Sequence, residues 1–284
     1  MKDLRKRMIE DMKIRNLSEN TQKRYVYHVA RFAEYFGKSP DLLGAEEVRK
    51  YQVHLIEEKH LSGSSLNVTV CALRFLYRNT LKRPDVVERI WYAKSEKHLP
   101  IVLSPDEVAR FFRSVESLKY FALLLVPYAA GLRISEACRL KVSNIDSERM
   151  ILRVEQGKGR KDRNVMLSPR LLKVLREYWK TSRSSHWLFP GKYSGKPVSP
   201  ASARSICRQV ALASGLKKRV TPHTLRHCFA THLLESGAEI RTIQILLGHQ
   251  SLASTQRYTR IATTTIRQTD SPLDSVIGDR LSFS

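Results

Sequence analysis

The 284-residue sequence lacks a long apolar run and is poor in cysteine. A membrane-spanning helix needs about 20 consecutive apolar residues. The longest apolar run here, residues 120–130, is interrupted by Pro127 and predicts a buried helix instead. The four cysteines form no CxxC pair and lie far apart, at Cys71, Cys138, Cys207 and Cys228. This pattern disfavours a disulfide framework and a cysteine zinc site.

Several functional signals are also missing. The first residues, Met1-Lys-Asp-Leu-Arg-Lys-Arg, are charged and precede no apolar stretch, so a secretory signal is not expected. Together with the cysteine pattern, this favours a protein of the reducing cytoplasm. The sequence has neither a P-loop nor a convincing acidic metal cluster. We therefore expect no cofactor and no bound metal.

Acidic residues are scarce relative to basic ones. The 27 Asp and Glu face 50 Lys and Arg, which gives a net charge of +23 and a pI near 10.1. The excess extends along the whole chain and is larger after residue 100. Such a balance favours a polyanionic partner, above all nucleic acid. A merely basic soluble protein, or one that binds ribosomal RNA or acidic lipid, remains an alternative at this point.

The pattern of apolar residues predicts two domains. Residues 1–92 show helical spacing throughout, with Ser18 as a helix cap and Gly37 as a helix stop, and predict a compact bundle of four short helices. Residues 93–103 are polar and predict a linker. Ser104-Pro-Asp-Glu107 then has the pattern of a helix start, which opens a second domain over 104–284.

The sequence of the second domain predicts a mainly α fold with a small β-hairpin. Residues 150–155 and 163–167 have the composition of strands. The basic, glycine-containing turn between them joins the two strands into a hairpin. The chain from Ser202 onward is helical, with breaks at glycines.

One helix start carries residues suited to an anion. Thr221 caps this helix and Pro222 occupies its first position, which places His223 and Arg226 on one face near the N-terminus. A helix N-terminus with Arg and His is suited to phosphate. An ordinary amphipathic helix explains this segment equally well. His223 and His227 also have a metal-ligand spacing, but no Glu lies between them as in HExxH and no third ligand is evident.

A tyrosine near the C-terminus is a candidate reactive group. Leu246-Leu-Gly-His249 ends a helix at a glycine, and Tyr258 follows nine residues later. An isolated tyrosine is usually a packing or surface residue. This one lies in a polar segment beside Arg257 and Arg260, where its hydroxyl can reach a phosphate.

These motifs together resemble a known family. Gly131-Leu-Arg-Ile-Ser-Glu136, His223-Thr-Leu-Arg226, Leu247-Gly-His249 and Tyr258 have the order and spacing of the tyrosine recombinase (phage integrase) family. Residues 223–260 resemble the bacterial Xer recombinases in particular. The resemblance implies a two-domain DNA clamp: a helical core-binding, DNA-binding domain over 1–92, a linker over 93–103, and a catalytic domain with a C-terminal tail over 104–284.

The resemblance also implies a role for each motif residue. For the residue that protonates the leaving 5′ oxygen there are two candidates, Lys158 and its neighbour Lys161, and the sequence does not decide between them. The resemblance implies that Tyr258 is the nucleophile, that Arg133 and Arg226 clamp the scissile phosphate, and that Lys158 is the acid that protonates the leaving 5′ oxygen. It further implies that His223 and His249 make additional contacts to the phosphate and that Glu136 supports the site. A tyrosine hydroxyl has an ordinary pKa of about 10 and needs a base or nearby cations to attack, and His223 is a candidate for that base.

The implied activity is site-specific cleavage and rejoining of double-stranded DNA through a 3′-phosphotyrosyl intermediate, without ATP or metal. Its purpose is DNA integration, excision or dimer resolution, by a homotetramer or heterotetramer on paired sites. Residues 259–284 are expected to dock onto a neighbouring subunit. Two alternatives are a type IB topoisomerase, which shares the tyrosine chemistry, and a DNA-binding protein without catalysis.

Overall fold

The computed structural model describes residues 2–94, 99–155, 162–193, 195–249 and 251–259. Lys158, Lys161 and nearly all of the C-terminal tail therefore lie outside the described residues. The chain divides into two compact units, residues 1–98 and residues 99–284. No helix among the described residues is long and apolar enough to cross a membrane.

The first unit is helical where it is described. Ser18 caps its second helix by accepting the Thr21 backbone N–H at 3.2 Å, and Gly37 ends that helix with a φ of +61°. Both features were predicted, whereas the short fifth helix was not. The helices are α1 (Lys2–Ile14), α2 (Glu19–Phe36), α3 (Ala45–Glu57), α4 (Gly63–Phe75) and α5 (Pro84–Glu88), with a 3-10 turn at Pro40–Leu42 and a π-helical turn at Leu76–Thr80.

The second unit packs its helices around a separate apolar core. Its first helix begins with the predicted reciprocal cap: Ser104 Oγ accepts the Glu107 N–H at 3.2 Å, and Glu107 accepts the Ser104 N–H at 2.8 Å. The helices in the described residues are α6 (Pro105–Arg113), α7 (Leu118–Ala130), α8 (Ile134–Cys138), α9 (Pro169–Ser182), α10 (Pro200–Ala213), α11 (Pro222–Glu235), α12 (Ile240–Leu247) and α13 (Ala253–Gln256).

A small antiparallel sheet accompanies these helices. The predicted hairpin is present as β2 (Ile151–Val154) and β3 (Arg163–Met166), with Leu152 opposite Val165. A two-residue strand, β1 (Ile145–Asp146), pairs with the other edge of β2 and was not predicted. The expected fold class, mainly α with a small sheet, is thus confirmed.

Helix α7 is the central helix of the second unit. It packs against α9 and α11, and Gly131 follows its last residue with a φ of +66°. A Cβ atom at Gly131 would lie 2.5 Å from the ring of Phe229 on α11 and 3.1 Å from Leu247 on α12. Gly131 therefore permits both the left-handed turn and the close approach of α11.

This close approach yields a prediction about stability. Gly131→Ala is expected to lower the free energy of unfolding by about 2–4 kcal/mol, because backbone strain and a clash in the core add together. Gly215→Ala is the matched control: Gly215 also has a positive φ (+63°), but no atom lies within 4 Å of its Cβ position. It should cost about 1 kcal/mol. Equal losses for the two variants in urea unfolding would contradict the steric argument.

Candidate active site

A buried carboxylate, that of Glu136, lies among three arginines. Its side chain is only 7% exposed. Arg133 donates to Oε1 at 2.8 Å, and Arg163 donates to both carboxylate oxygens, at 3.1 and 2.8 Å. A guanidinium nitrogen of Arg226 lies 3.8 Å from Oε2. One carboxylate therefore gathers three guanidinium groups that would otherwise repel each other.

The local backbone also fixes this carboxylate. Arg133 precedes the first residue of α8 and Glu136 is the third residue of that helix, so Glu136 Oε2 accepts the Arg133 backbone N–H at 2.8 Å. Burial alone would raise the pKa of Glu136. Hydrogen bonds and positive charge from Arg163 and Arg133 outweigh burial and lower this pKa to about 2. Glu136 is therefore ionised at neutral pH.

Arg226 lies almost fully buried where two helices end. It is 3% exposed, and it donates to the carbonyl oxygens of Gly131 at 2.5 Å and Leu247 at 2.6 Å. These carbonyls end α7 and α12, so the partially negative ends of two helices face this guanidinium. Burial, followed by repulsion from Arg133, lowers the pKa of Arg226 to about 9. The group stays charged at neutral pH, and its five N–H donors leave capacity for an anion.

His249 lies beside Arg226, directly after the glycine that ends α12. Its Nε2 is 3.4 Å from Arg226 Nη2, and its Nδ1 is 2.9 Å from Thr255 Oγ1. Because a guanidinium only donates, Nε2 is unprotonated in this contact and Nδ1 carries the proton. Burial, followed by the charges of Arg226 and Arg133, lowers the pKa of His249 to about 3, so the ring is neutral.

Tyr258 lies in surroundings that its polar sequence neighbours did not predict. Its side chain is only 1% exposed, and its ring is parallel to that of His249 with 6.4 Å between centroids. Burial raises the pKa of the phenol, against the opposing effect of nearby arginines, the largest from Arg226. The phenol is thus protonated at neutral pH. The ring belongs to a small apolar cluster with Phe229, Ala230, Ile243 and Leu247.

The hydroxyl of Tyr258 is held by a histidine that the motifs did not single out as catalytic. His227 Nδ1 lies 2.9 Å from Tyr258 Oη. Burial, followed by the charge of His223, lowers the pKa of His227 to about 4, so this ring is neutral at pH 7. His223 is exposed one turn earlier, with its ring centroid 6.5 Å from that of His227. Partial burial of His223, followed by the charge of Arg226, lowers its pKa as well.

The structure brings most of the predicted site residues into one region of the second unit. Lys158 and its alternative Lys161 lie outside the described residues. No group of three or more His, Cys, Asp or Glu side chains in the described part of the chain is arranged to hold a metal ion. The residues that gather around the arginine cluster are Arg133, Glu136, His223, Arg226, His249 and Tyr258.

Comparisons with known proteins show which family this chain belongs to. Residues 102–265 match the family model of the phage integrase family, and residues 4–85 match the N-terminal SAM-like domain of phage integrases. The chain is 53% identical over 275 residues to the putative integrase/recombinase y4qK of Sinorhizobium fredii, an alignment that covers 96% of this chain and 89% of the relative. It is 36% identical over 260 residues to the tyrosine recombinase XerA of Pyrococcus horikoshii, which covers 90% and 88%.

The chain belongs to the phage integrase family. It is a tyrosine site-specific recombinase, an enzyme of DNA cleavage and rejoining, as the order of its motifs predicted. Among solved structures, the XerH site-specific recombinase bound to palindromic difH substrate in a post-cleavage complex has the same fold. The TM-score is 0.72 at 23% identity, over 90% of this chain and 81% of that one.

Arg163 of this recombinase has a role that the sequence motifs did not indicate. The Arg163 side chain is 11% exposed, and its Nε donates to the Leu246 carbonyl at 3.0 Å while its Nη atoms hold Glu136. A signal was present, because Arg163 and the buried Val165 are two residues apart in β3 and share a face. A charged residue on the inward face of a strand indicates a buried ion pair. The side chain of Arg163 also explains the glycine at position 248, because a Cβ atom added there would lie 2.9 Å from Arg163 Cδ.

Removing the Arg163 side chain is expected to lower the free energy of unfolding of this recombinase more than removing an exposed arginine. Arg163→Ala takes one partner from a buried ion pair and should lower the free energy of unfolding by about 3 kcal/mol. The matched control is Arg153→Ala on the neighbouring strand β2, because Arg153 pairs with Asp162 at the surface, where it is 62% exposed. The control should cost at most about 0.5 kcal/mol.

The same pair has a pH dependence with a fixed sign. The folded-state pKa of Glu136 is about 2, against an ordinary value of 4.5. The stability that Glu136 contributes is therefore present above pH 4.5 and is lost as the pH falls toward 2. The difference in unfolding free energy between the wild type and Glu136→Gln should shrink over that window. A difference that grows as the pH falls would contradict the assignment.

Proposed function

We propose that Tyr258 is the nucleophile of this recombinase and that the cut strand is held on it as a 3′-phosphotyrosyl ester. The observation that carries the proposal is the closeness of the phenol to the arginine cluster. The ring of Tyr258 is parallel to that of His249, with 6.4 Å between the ring centroids. Nε2 of His249 in turn lies 3.4 Å from Nη2 of Arg226. A phosphodiester gripped by these arginines lies beside the phenol.

The surrounding residues supply charge and position. Cleavage spreads negative charge over the non-bridging oxygens of the phosphate, so fixed cations lower the barrier. Arg133 and Arg226 take these oxygens, since a guanidinium is always charged and offers paired donors. His223 and His249 make the remaining contacts to the phosphate. Glu136 supports the site, a role that is favoured by its contacts with Arg133 at 2.8 Å and Arg226 at 3.8 Å.

The reaction exchanges one phosphate ester for another. The bond from Tyr258 Oη to phosphorus forms while the bond from phosphorus to the 5′ oxygen breaks. Lys158, or its neighbour Lys161, protonates the leaving oxygen. Because the phosphotyrosyl ester retains the bond energy, a 5′ hydroxyl from another strand reverses the step. This chemistry uses neither ATP nor a metal ion.

Double-stranded DNA is the proposed partner. The net charge of +23 supports this, and so does a cleft of about 590 Å³ at the start of α11. Contacts to many phosphates make the affinity fall steeply as salt rises. The related fold of XerH is bound to its difH substrate. Five basic residues line the cleft: Arg204, Arg208, Lys217, Lys218 and Arg219.

The proposal extends to organisation and assembly. Residues 1–92 form the core-binding, DNA-binding domain, residues 93–103 the linker and residues 104–284 the catalytic domain. Because recombination joins two duplexes, four subunits act together on paired sites, as a homotetramer or with a second recombinase. The reaction takes place in the cytoplasm, in the service of integration, excision or dimer resolution.

The test of this function is covalent capture. Wild type and Tyr258→Phe are incubated with nicked host DNA in EDTA, denatured, and the DNA attached to protein is sequenced. Wild type should form an adduct at a defined sequence, and Tyr258→Phe should reduce it at least about 1000-fold, because the nucleophilic oxygen is gone. Tyr193→Phe is the matched control: Tyr193 is 72% exposed, and its loss should leave the adduct unchanged.

The other outcomes favour the alternative functions. Adducts scattered over DNA without sequence preference favour a type IB topoisomerase. Binding to DNA with no adduct on any substrate favours a DNA-binding protein without catalysis. An undiminished adduct in Tyr258→Phe would place the nucleophile elsewhere.

A further inference from the structure

We propose that His227 is a catalytic residue of this recombinase: it accepts the phenol proton of Tyr258 when the phenol attacks the scissile phosphate. The inference rests on the proposed role of Tyr258 and goes beyond the motif residues. Its starting point is direct contact with a reacting atom, because His227 Nδ1 lies 2.9 Å from Tyr258 Oη. A general base must lie within about 2.6–3.2 Å of the group that it deprotonates.

The direction of this hydrogen bond follows from burial. Tyr258 is 1% exposed, and among the described residues its hydroxyl has one hydrogen-bond partner, His227. If His227 donated to the hydroxyl, the phenol proton would be buried without an acceptor, which costs about 1–3 kcal/mol. The phenol therefore donates, and Nδ1 of His227 is the acceptor. Its proton is then on Nε2.

The other histidines of the site have different neighbours. His249 presents Nε2 to Arg226 and Nδ1 to Thr255, so both of its ring nitrogens are engaged. His223 is exposed at the start of α11, where a bound strand can contact it. Among the histidines of the described residues, His227 is thus the one that presents a ring lone pair to the Tyr258 hydroxyl.

The electrostatics make this base depend on DNA. Burial and the positive groups around His227 disfavour its protonated form and lower its pKa to about 4. A scissile phosphate brings negative charge next to these arginines, and it thereby favours the imidazolium that proton transfer creates. The proton moves from Tyr258 Oη to His227 Nδ1 as the oxygen–phosphorus bond forms. Rejoining returns it to the phenol when the tyrosine leaves.

Two variants separate proton transfer from positioning. His227→Asn keeps a polar side-chain atom near the position of Nδ1 but cannot take up a proton at neutral pH. His227→Phe removes the acceptor and keeps a ring. Both are expected to slow the single-turnover formation of the Tyr258 adduct by about 100-fold or more, which is the usual size of a general-base contribution. His186→Asn is the control, since this exposed histidine lies outside the site. It should stay within twofold of the wild type.

The substrate distinguishes a base from an acid. The captured sequence is prepared with sulfur in place of the bridging 5′ oxygen, a leaving group that needs no proton. Lys158→Ala and Lys161→Ala are tested together, and whichever is slow on the ordinary substrate should recover on this one, because its defect lies at the leaving oxygen. The His227 variants should stay slow, because their defect lies at the nucleophile. Recovery of the His227 variants on the sulfur substrate would overturn the proposal.

Two further results also bear on the proposal. A His227→Asn enzyme as fast as the wild type, beside a slow His227→Phe enzyme, would reduce the residue to positioning and overturn the base assignment. For variants that fail to fold, nitrogen NMR of the wild type gives an independent readout: His227 should be neutral with its proton on Nε2. A proton on Nδ1 would overturn the proposal. A wild type that forms no adduct at Tyr258 would instead contradict the proposed function itself.

Discussion

The arrangement of the second unit depends on one buried carboxylate. Glu136 binds Arg133 and Arg163, and Arg226 lies 3.8 Å from it, so it connects α8, β3 and α11. Arg163 and Arg226 each use a second face to bind a carbonyl at the end of α12, at Leu246 and Leu247. Two arginines therefore tie the end of α12 to Glu136. The residues that follow this end, His249 and Tyr258, take their positions from it.

This carboxylate gathers positive charge without neutralising it. Three guanidinium groups face one carboxylate, which leaves two positive charges in excess inside a poorly solvated site. Burial first, and nearby cations such as Arg226 and Arg257 after it, lower the pKa values of His227 and His249 to about 4 and 3. Such a site is strained by its own repulsion and relaxes when an anion enters. A phosphodiester matches that requirement in charge.

Local chemistry in the sequence predicted more than long-range contacts did. The caps at Ser18, Ser104 and Thr221 depend on residues three positions apart, and all three were predicted correctly. The hairpin of β2 and β3 was also predicted, since alternation and a glycine turn lie within one segment. The two-residue strand β1 and the short helix α5 were missed, because tertiary packing stabilises elements too short to show periodicity.

The candidate site follows the same division. The order of motifs predicted that Arg133, Arg226 and Tyr258 belong to one site, and the structure brings them into one region although they are far apart in sequence. The order of motifs did not identify Arg163 or His227, because their importance lies in contacts made only after folding. Arg163 bears on the site through Glu136, and the spacing of His223 and His227 gave no sign of the contact between His227 and Tyr258. The burial of Tyr258 was unexpected for the same reason, since its polar neighbours in sequence are not its neighbours in space.

That burial bears on how the enzyme controls a reactive group. In the absence of DNA, burial raises the pKa of Tyr258 and lowers that of His227, so the proton stays on the phenol. The neighbouring arginines favour a phenolate but disfavour the imidazolium that would form with it. A bound phosphate removes the second effect by supplying negative charge. With the roles proposed for Tyr258 and His227, the phenol becomes reactive only where a phosphodiester already occupies the arginine cluster, which would couple strand cleavage to correct binding of DNA.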